Sequence, residues 1–218
     1  MAQHGLLSRQ IYEQIRARIL RREFAPGMKV TYRQLAEQLG VSRVPIGEAI
    51  RQLEREGFVV CTPRGIYINH LTVRDVEEVF DMREVLEGLS CRLFVAVATP
   101  ADLELLKGYA DEWERLLDKG RFDLAQEVNV RFHAHIAKRT PYPYLAQVIE
   151  TLLLRARMIG VKTFGNRKED WRRERWGHYA ILDAIAAKDP ERAEAVMRQH
   201  IRFGKEDIIA AMLKEGLK

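Results

Sequence analysis

Asn129 and His133 lie four residues apart, the spacing that puts two side chains on one face of a helix, and Ile136 continues that face. His178 shares a face with Ile181, Leu182 and Ile185, and His200 with Ala193, Val196 and Met197. One amide and three imidazoles therefore point where a hydrophobic core should be, from three different helical segments. A neutral imidazole is a common metal ligand, and an amide oxygen can be another. Three histidines on facing helices suit Zn, Ni, Mn or Fe, with positions left for water or a small ligand. The competing reading is that each is a core histidine bonded to a backbone carbonyl. For one histidine that reading is preferred; for three with an Asn, spacing alone leaves both open. His135 falls with Arg131 and Arg139 on a polar face and stays outside the set, as do His4 and His70.

The segments that must position these residues read as helical from Thr72 onward. Thr72-Val-Arg-Asp75 opens a helix with Val76, Val79, Leu86 and Leu93 on or near one stripe. Further helices are expected at about 101–119, 122–138, 143–163, 168–187 and 190–214. Gly120, Pro141 with Pro143, Gly165 and Asp189-Pro190 separate them. Six helices without a strand signal predict an antiparallel all-α bundle over residues 72–218.

Residues 1–71 read differently. Ile11, Ile15 and Ile19 mark one helix, which stops before Pro26-Gly27. Thr31-Tyr-Arg-Gln34 reads as a capping box, opening a helix with Leu35, Ala36 and Leu39 inward that closes at Gly40. Ser42 is the next N-cap, Pro45 sits in the following first turn, and Ile46, Ile50 and Leu53 face inward. This is a helix-turn-helix over about 32–51. A hairpin over 58–69 follows, with its turn at Pro63-Arg64-Gly65, which completes a winged helix. Such a unit places the N-terminal end of its third helix in a DNA major groove and its wing tip on a neighbouring phosphate or minor groove.

Charge agrees with that division. The 218 residues carry a net charge of +5. Residues 1–72 hold 11 basic and 6 acidic side chains, whereas residues 73–218 hold 25 of each. The whole positive excess sits in the N-terminal third, which points to a polyanionic partner there. At 47% hydrophobic the chain can bury a core, so disorder is excluded. No apolar run approaches the roughly 18–20 residues that span a bilayer, and no signal-peptide core stands at MAQHGLLSRQ, so a cytoplasmic protein without membrane contact is expected. Cys61 and Cys91 are too few for a disulfide framework.

The segment TYRQLAEQLGVSRVPIGEAIRQLEREGFVV resembles the DNA-binding domain of GntR-family bacterial transcription regulators, over about residues 8–70. That resemblance implies that Arg33 binds backbone phosphate, that Ser42 caps its helix and touches phosphate, and that Arg43 reaches a base edge. It further implies a wing contact through Arg64 and Gly65. Gly47 stands where the family has a second arginine on the reading helix, so operator preference or strength should differ. Residues 76–207 resemble the FCD ligand-binding domain of the FadR subfamily, in its shorter, VanR-like branch. There the resemblance assigns Asn129, His133, His178 and His200 to a divalent metal (Zn, Ni or Mn) that helps hold a small carboxylate. Asn129 replaces the usual Asp and removes one negative charge. The resemblance also singles out Arg83, which lies on the stripe of Val79 and Leu86 and so faces inward. An ion pair with Glu84 or Glu87 and capture of an effector carboxylate are equally good readings of it.

The expected protein is a homodimeric DNA-binding repressor that reads a short pseudopalindromic operator and answers to an organic acid. A metal-dependent enzyme with a three-His centre is the alternative, but no G-x-S-x-G, Gly-rich phosphate loop or H-E-x-x-H accompanies the histidines. A DNA-binding protein without effector would leave the histidine set without a purpose.

Overall fold

The computed structural model describes residues 2–20, 23–69, 72–164 and 175–214. The chain folds as two compact units, 1–71 and 72–218.

The first unit contains helices α1 (Ala2–Leu20), α2 (Tyr32–Leu39) and α3 (Arg43–Arg55), with strands β1 (Lys29–Val30), β2 (Val59–Thr62) and β3 (Gly65–Ile68). Ile11, Ile15 and Ile19 of α1 are buried and pack toward Ile46, Ile50 and Leu53 of α3. Ser8 and Tyr12 donate hydrogen bonds to Glu48 and Glu56, fastening the two helices together. The capping box forms as expected: Gln34 N–H donates to Thr31 Oγ1 at 3.2 Å, and Thr31 N–H donates to Gln34 Oε1 at 3.0 Å. Gly40 ends α2 with a φ of 66°, a left-handed turn that a side chain would strain. The hairpin of β2 and β3 pairs Thr62 with Gly65 across a two-residue turn. Beyond the hairpin, β1 adds to β3 with Lys29 opposite Tyr67, giving the order β1-β3-β2. At two residues, β1 carries no periodic signal, and the sequence did not suggest it.

Ser42 does stand at the N-cap of α3 in extended backbone, yet its hydroxyl makes no capping bond. An N-cap oxygen normally accepts from the second or third helical N–H; the third is missing here, because that residue is Pro45, and only Val44 remains as a capping donor. The hydroxyl stays exposed and available.

The second unit is a bundle of six described helices: α4 (Val73–Val95), α5 (Pro100–Asp118), α6 (Phe122–Arg139), α7 (Pro143–Phe164), α8 (Arg175–Ala186) and α9 (Pro190–Lys214). The expected start of the fifth of these, near residue 168, lies outside the described residues. Capping boxes at Thr72 with Asp75 and at Thr99 with Asp102 fix two N-termini, and Asp189 Oδ1 accepts from Arg192 N–H at a third. Asp102 also accepts from Arg139 and contacts His135 at 2.7 Å, which ties α5 to α6 and keeps His135 away from the other histidines. Helix α4 packs on α9, α7 and α6. Its buried face differs from the expected stripe: Leu86 and Leu93 are only half-buried. The face runs instead through Val76, Val79, Phe80, Arg83, Glu87, Cys91 and Phe94. Two charged residues thus occupy the middle of a core-facing stripe.

Gly47 sits inside α3 with helical backbone, and a methyl group built there meets no atom within 4 Å. Gly47→Ala should therefore raise the stability of the first unit by about 0.5–1 kcal/mol in urea unfolding, by removing the glycine entropy cost. A loss of stability would show that the helix around Gly47 is not regular.

Candidate metal centre and nucleic-acid interface

The bundle brings the polar core residues of α6, α8 and α9 into one cluster. One ring nitrogen from each of His133, His178 and His200 lies within 4.8 Å of the other two, and all three rings are buried. His133 Nε2 and His200 Nε2 face each other at 3.3 Å, and His178 Nε2 faces Asn129 Oδ1 at 2.8 Å. The imidazoles of His133 and His200 stack with centroids 5.2 Å apart. Trp113 and Phe132 pack edge-on against His178, with centroids 4.9 and 4.6 Å away. Helix α8 can come this close only because it carries Gly177. A methyl group at that position would lie 2.1 Å from His200 Nδ1.

Glu87, 2% exposed, orders this cluster from behind. One carboxylate oxygen lies 2.7 Å from Arg83 Nε and the other 2.6 Å from His133 Nδ1. Burial alone would push the Glu87 carboxyl upward. The Arg83 guanidinium foremost, with the contact to His133, outweighs it and holds the group down at about 2. Glu87 is placed to accept from Nδ1–H of His133, and in a neutral ring that arrangement leaves the Nε2 lone pair facing His200. Glu84, the other candidate partner of Arg83, pairs with Arg202 instead.

His178 and His200 are held neutral, well below the ordinary histidine value, first by burial and then by the neighbouring imidazoles. Neutral rings are the ligating form. An Nε2 to Nε2 separation of 3.3 Å suits two nitrogens that each bind one ion at about 2.0–2.1 Å. Among the described residues His178 Nδ1 has no hydrogen-bond partner. The donor set therefore fits a divalent transition metal. Burial pushes the thiols of Cys91 to about 12 and Cys61 to about 11, so neither supplies a thiolate nucleophile at neutral pH.

A small cavity of about 30 Å3 adjoins the cluster and opens to solvent. Arg83 of α4, Gln126 and Asn129 of α6, Arg157 of α7 and His200 of α9 line it. Arg83 thus both pairs with Glu87 and faces the cavity, so its two sequence readings are compatible. Arg157 and Gln126 escaped the sequence reading, and so did the link from Glu87 to His133. The Arg83 to Glu87 spacing of four was the available signal.

In the first unit, Arg33, Ser42 and Arg43 line one shallow concavity where α2 ends and α3 begins. Arg33 is 71% exposed and loosely paired with Glu37 at 3.7 Å. Arg43 and Ser42 are exposed beside the free amides of the α3 N-terminus, which favour an anion. Arg64 is exposed at the hairpin turn. Gly65 has a φ of 136°, and a methyl group there would lie 2.7 Å from Lys29 Cε. Lys29 is a basic wing residue that the sequence reading missed, because β1 was missed.

The protonation states predict a pH window for the metal-free protein. His178 and His200 have folded values below their unfolded one of about 6.5. Below that pH the unfolded chain binds the extra protons, so stability present above it should fall as pH drops toward 5. Glu87 holds its contribution until pH falls below about 4.5 and loses it on the way to 2. Urea unfolding at a series of pH values reads this directly; constant stability between pH 7 and 5 would mean the histidines are not neutral in the fold.

Comparison with known proteins gives the chain its place. The profile described as "Bacterial regulatory proteins, gntR family" matches residues 7–68, and the one described as "FCD domain" matches residues 78–203. The chain is similar to the HTH-type transcriptional regulator YdhC of Bacillus subtilis, 30% identical over 211 residues, covering 95% of this chain and 92% of that one. It is also similar to the HTH-type transcriptional repressor RspR of Escherichia coli, 22% identical, covering 93% and 89% of the two chains. Its fold resembles the solved structure of E. coli McbR/YncC with a TM-score of 0.72 at 24% identity, covering 96% and 98% of the two chains. Winged helix, FCD bundle and relatives agree: this chain belongs to the GntR family and is a DNA-binding transcription regulator, not an enzyme.

Proposed function

We propose that the protein is a homodimeric repressor whose operator binding is governed by a small carboxylate metabolite, held beside a divalent metal in the helical unit. The observation that carries this reading is the buried three-His cluster, with Glu87 behind it and a cavity bearing Arg83 in front. His133, His178, His200 and Asn129 would hold Zn, Ni or Mn. The metal would supply a Lewis-acidic centre for a ligand oxygen. All four donors are uncharged, so the ion's charge is offset only by Glu87, and an anion is favoured at the open side. Arg83 orients that anion through the nitrogens that Glu87 leaves free.

On the DNA side, Arg33, Ser42 and the α3 amides contact backbone phosphate, Arg43 reads a base edge, and Arg64 with Gly65 brings the wing to the duplex. One such reader gives too little interface for operator affinity, which supports a dimer on a pseudopalindrome. Met82, Val85 and Leu89 form an exposed apolar stripe on α4 that suits contact with a second copy. The repressor RspR among the relatives supports repression. No helix among the described residues is long and apolar enough to cross a membrane, which agrees with a cytoplasmic site of action.

Operator selected from random DNA, followed by fluorescence anisotropy, tests the DNA side. Arg43→Ala should weaken operator binding by about 1–3 kcal/mol and relax choice at one base position. Wild-type affinity should fall steeply with salt. Unchanged discrimination in the variant would remove Arg43 from the reading role, and a flat salt response would remove the basic face as the contact.

A further inference from the structure

We propose that the cavity beside the histidine cluster takes an organic acid with two anionic groups, and that Arg157 holds the second of them. This rests on the reading of the cavity as a carboxylate site. Among the described residues its lining includes two guanidiniums, Arg83 and Arg157, and no carboxylate. The two come from different walls, α4 and α7. Arg83 is 4% exposed, lies over the Phe80 ring at 4.8 Å, and among the described residues its ion-pair partner is Glu87, through Nε. Its remaining nitrogens are enough for one carboxylate beside the histidine cluster, and a monoacid would satisfy that end.

Arg157 is then left over. Its Nε is shielded from solvent and has no hydrogen-bond partner among the described residues. Among the described residues its one ion pair is long, 3.4 Å from Nη2 to Glu127 Oε2, and Glu127 also holds Arg131 at 3.0 Å. One half-exposed carboxylate thus serves two guanidiniums. A shielded guanidinium N–H without an acceptor is costly, and a ligand carboxylate is the group whose two oxygens fit it. The same lining includes Phe80, Leu153 and Ile208, apolar surface that suits a short carbon chain.

Calorimetric titration of the full-length protein in the presence of Mn2+ tests this, with succinate and glutarate set against butanoate and pentanoate. Each diacid should bind at least about tenfold tighter than the monoacid of equal length. Arg157→Gln should abolish that preference and leave monoacid affinity unchanged, Arg157→Lys should keep part of it, and Arg83→Gln should weaken both classes. Equal wild-type affinity for the two classes, or an equal loss for both in Arg157→Gln, overturns the second anionic subsite and leaves the carboxylate reading standing. Binding of neither class by the wild type overturns both.

Discussion

The carboxylate of Glu87 is buried between a guanidinium and an imidazole, and the helical unit is arranged around it. A lone buried carboxylate would cost several kcal/mol, and removal of one partner from such a pair typically costs about 3–5 kcal/mol. Contacts on both oxygens are what make the burial tolerable. They also set the rotation of α4, because Arg83 and Glu87 must share its inner face with Val79, Phe80 and Phe94. Once α4 is fixed in this way, His133 is fixed too, with its Nε2 toward His200. Gly177 then lets α8 bring its own histidine beside α9.

The two units share a physical device: each leaves free a polar group that a helical protein would ordinarily satisfy internally. In the first, Pro45 removes one of the two N–H groups that Ser42 could cap, and its hydroxyl makes no capping bond and stays exposed at the helix N-terminus. In the second, Glu87 occupies one nitrogen of His133 and releases the other, and it leaves the ends of Arg83 facing a cavity. Polar groups kept unsatisfied cost stability, and ligands recover that cost on binding. DNA is the ligand class for one unit, and an anion beside a cation is the class proposed for the other.

Much of this was legible in the sequence, for identifiable reasons. Capping boxes, Gly40 and Asp189-Pro190 are local devices that act within a few residues, so they mark helix ends without knowledge of the fold. The histidines were found because helical spacing placed them among Ile and Leu. His135 was set aside by the same argument, and it sits on Asp102 instead. What spacing does not show is long-range pairing. Glu87 was visible as one of two carboxylates near Arg83, but its contact with His133, 46 positions away on α6, depends on how two helices pack. Arg157 reads as one more surface charge until α7 turns it toward the cavity. Lys29 was lost with β1, and Ser42 read as a capping side chain until Pro45 was counted as a missing donor.

The central claim is that Glu87 prepares His133 to act with His178, His200 and Asn129 as one metal site. Metal content by mass spectrometry, on full-length, untagged protein kept from chelators, tests it most directly when run beside two variants. The account predicts about one divalent ion per chain in the wild type and none in the His133→Ala/His200→Ala double variant. It predicts roughly 10–100-fold weaker metal affinity in Glu87→Gln. A wild-type protein that takes up no metal, or a double variant that keeps it, would contradict the account and return the three histidines to the role of polar core.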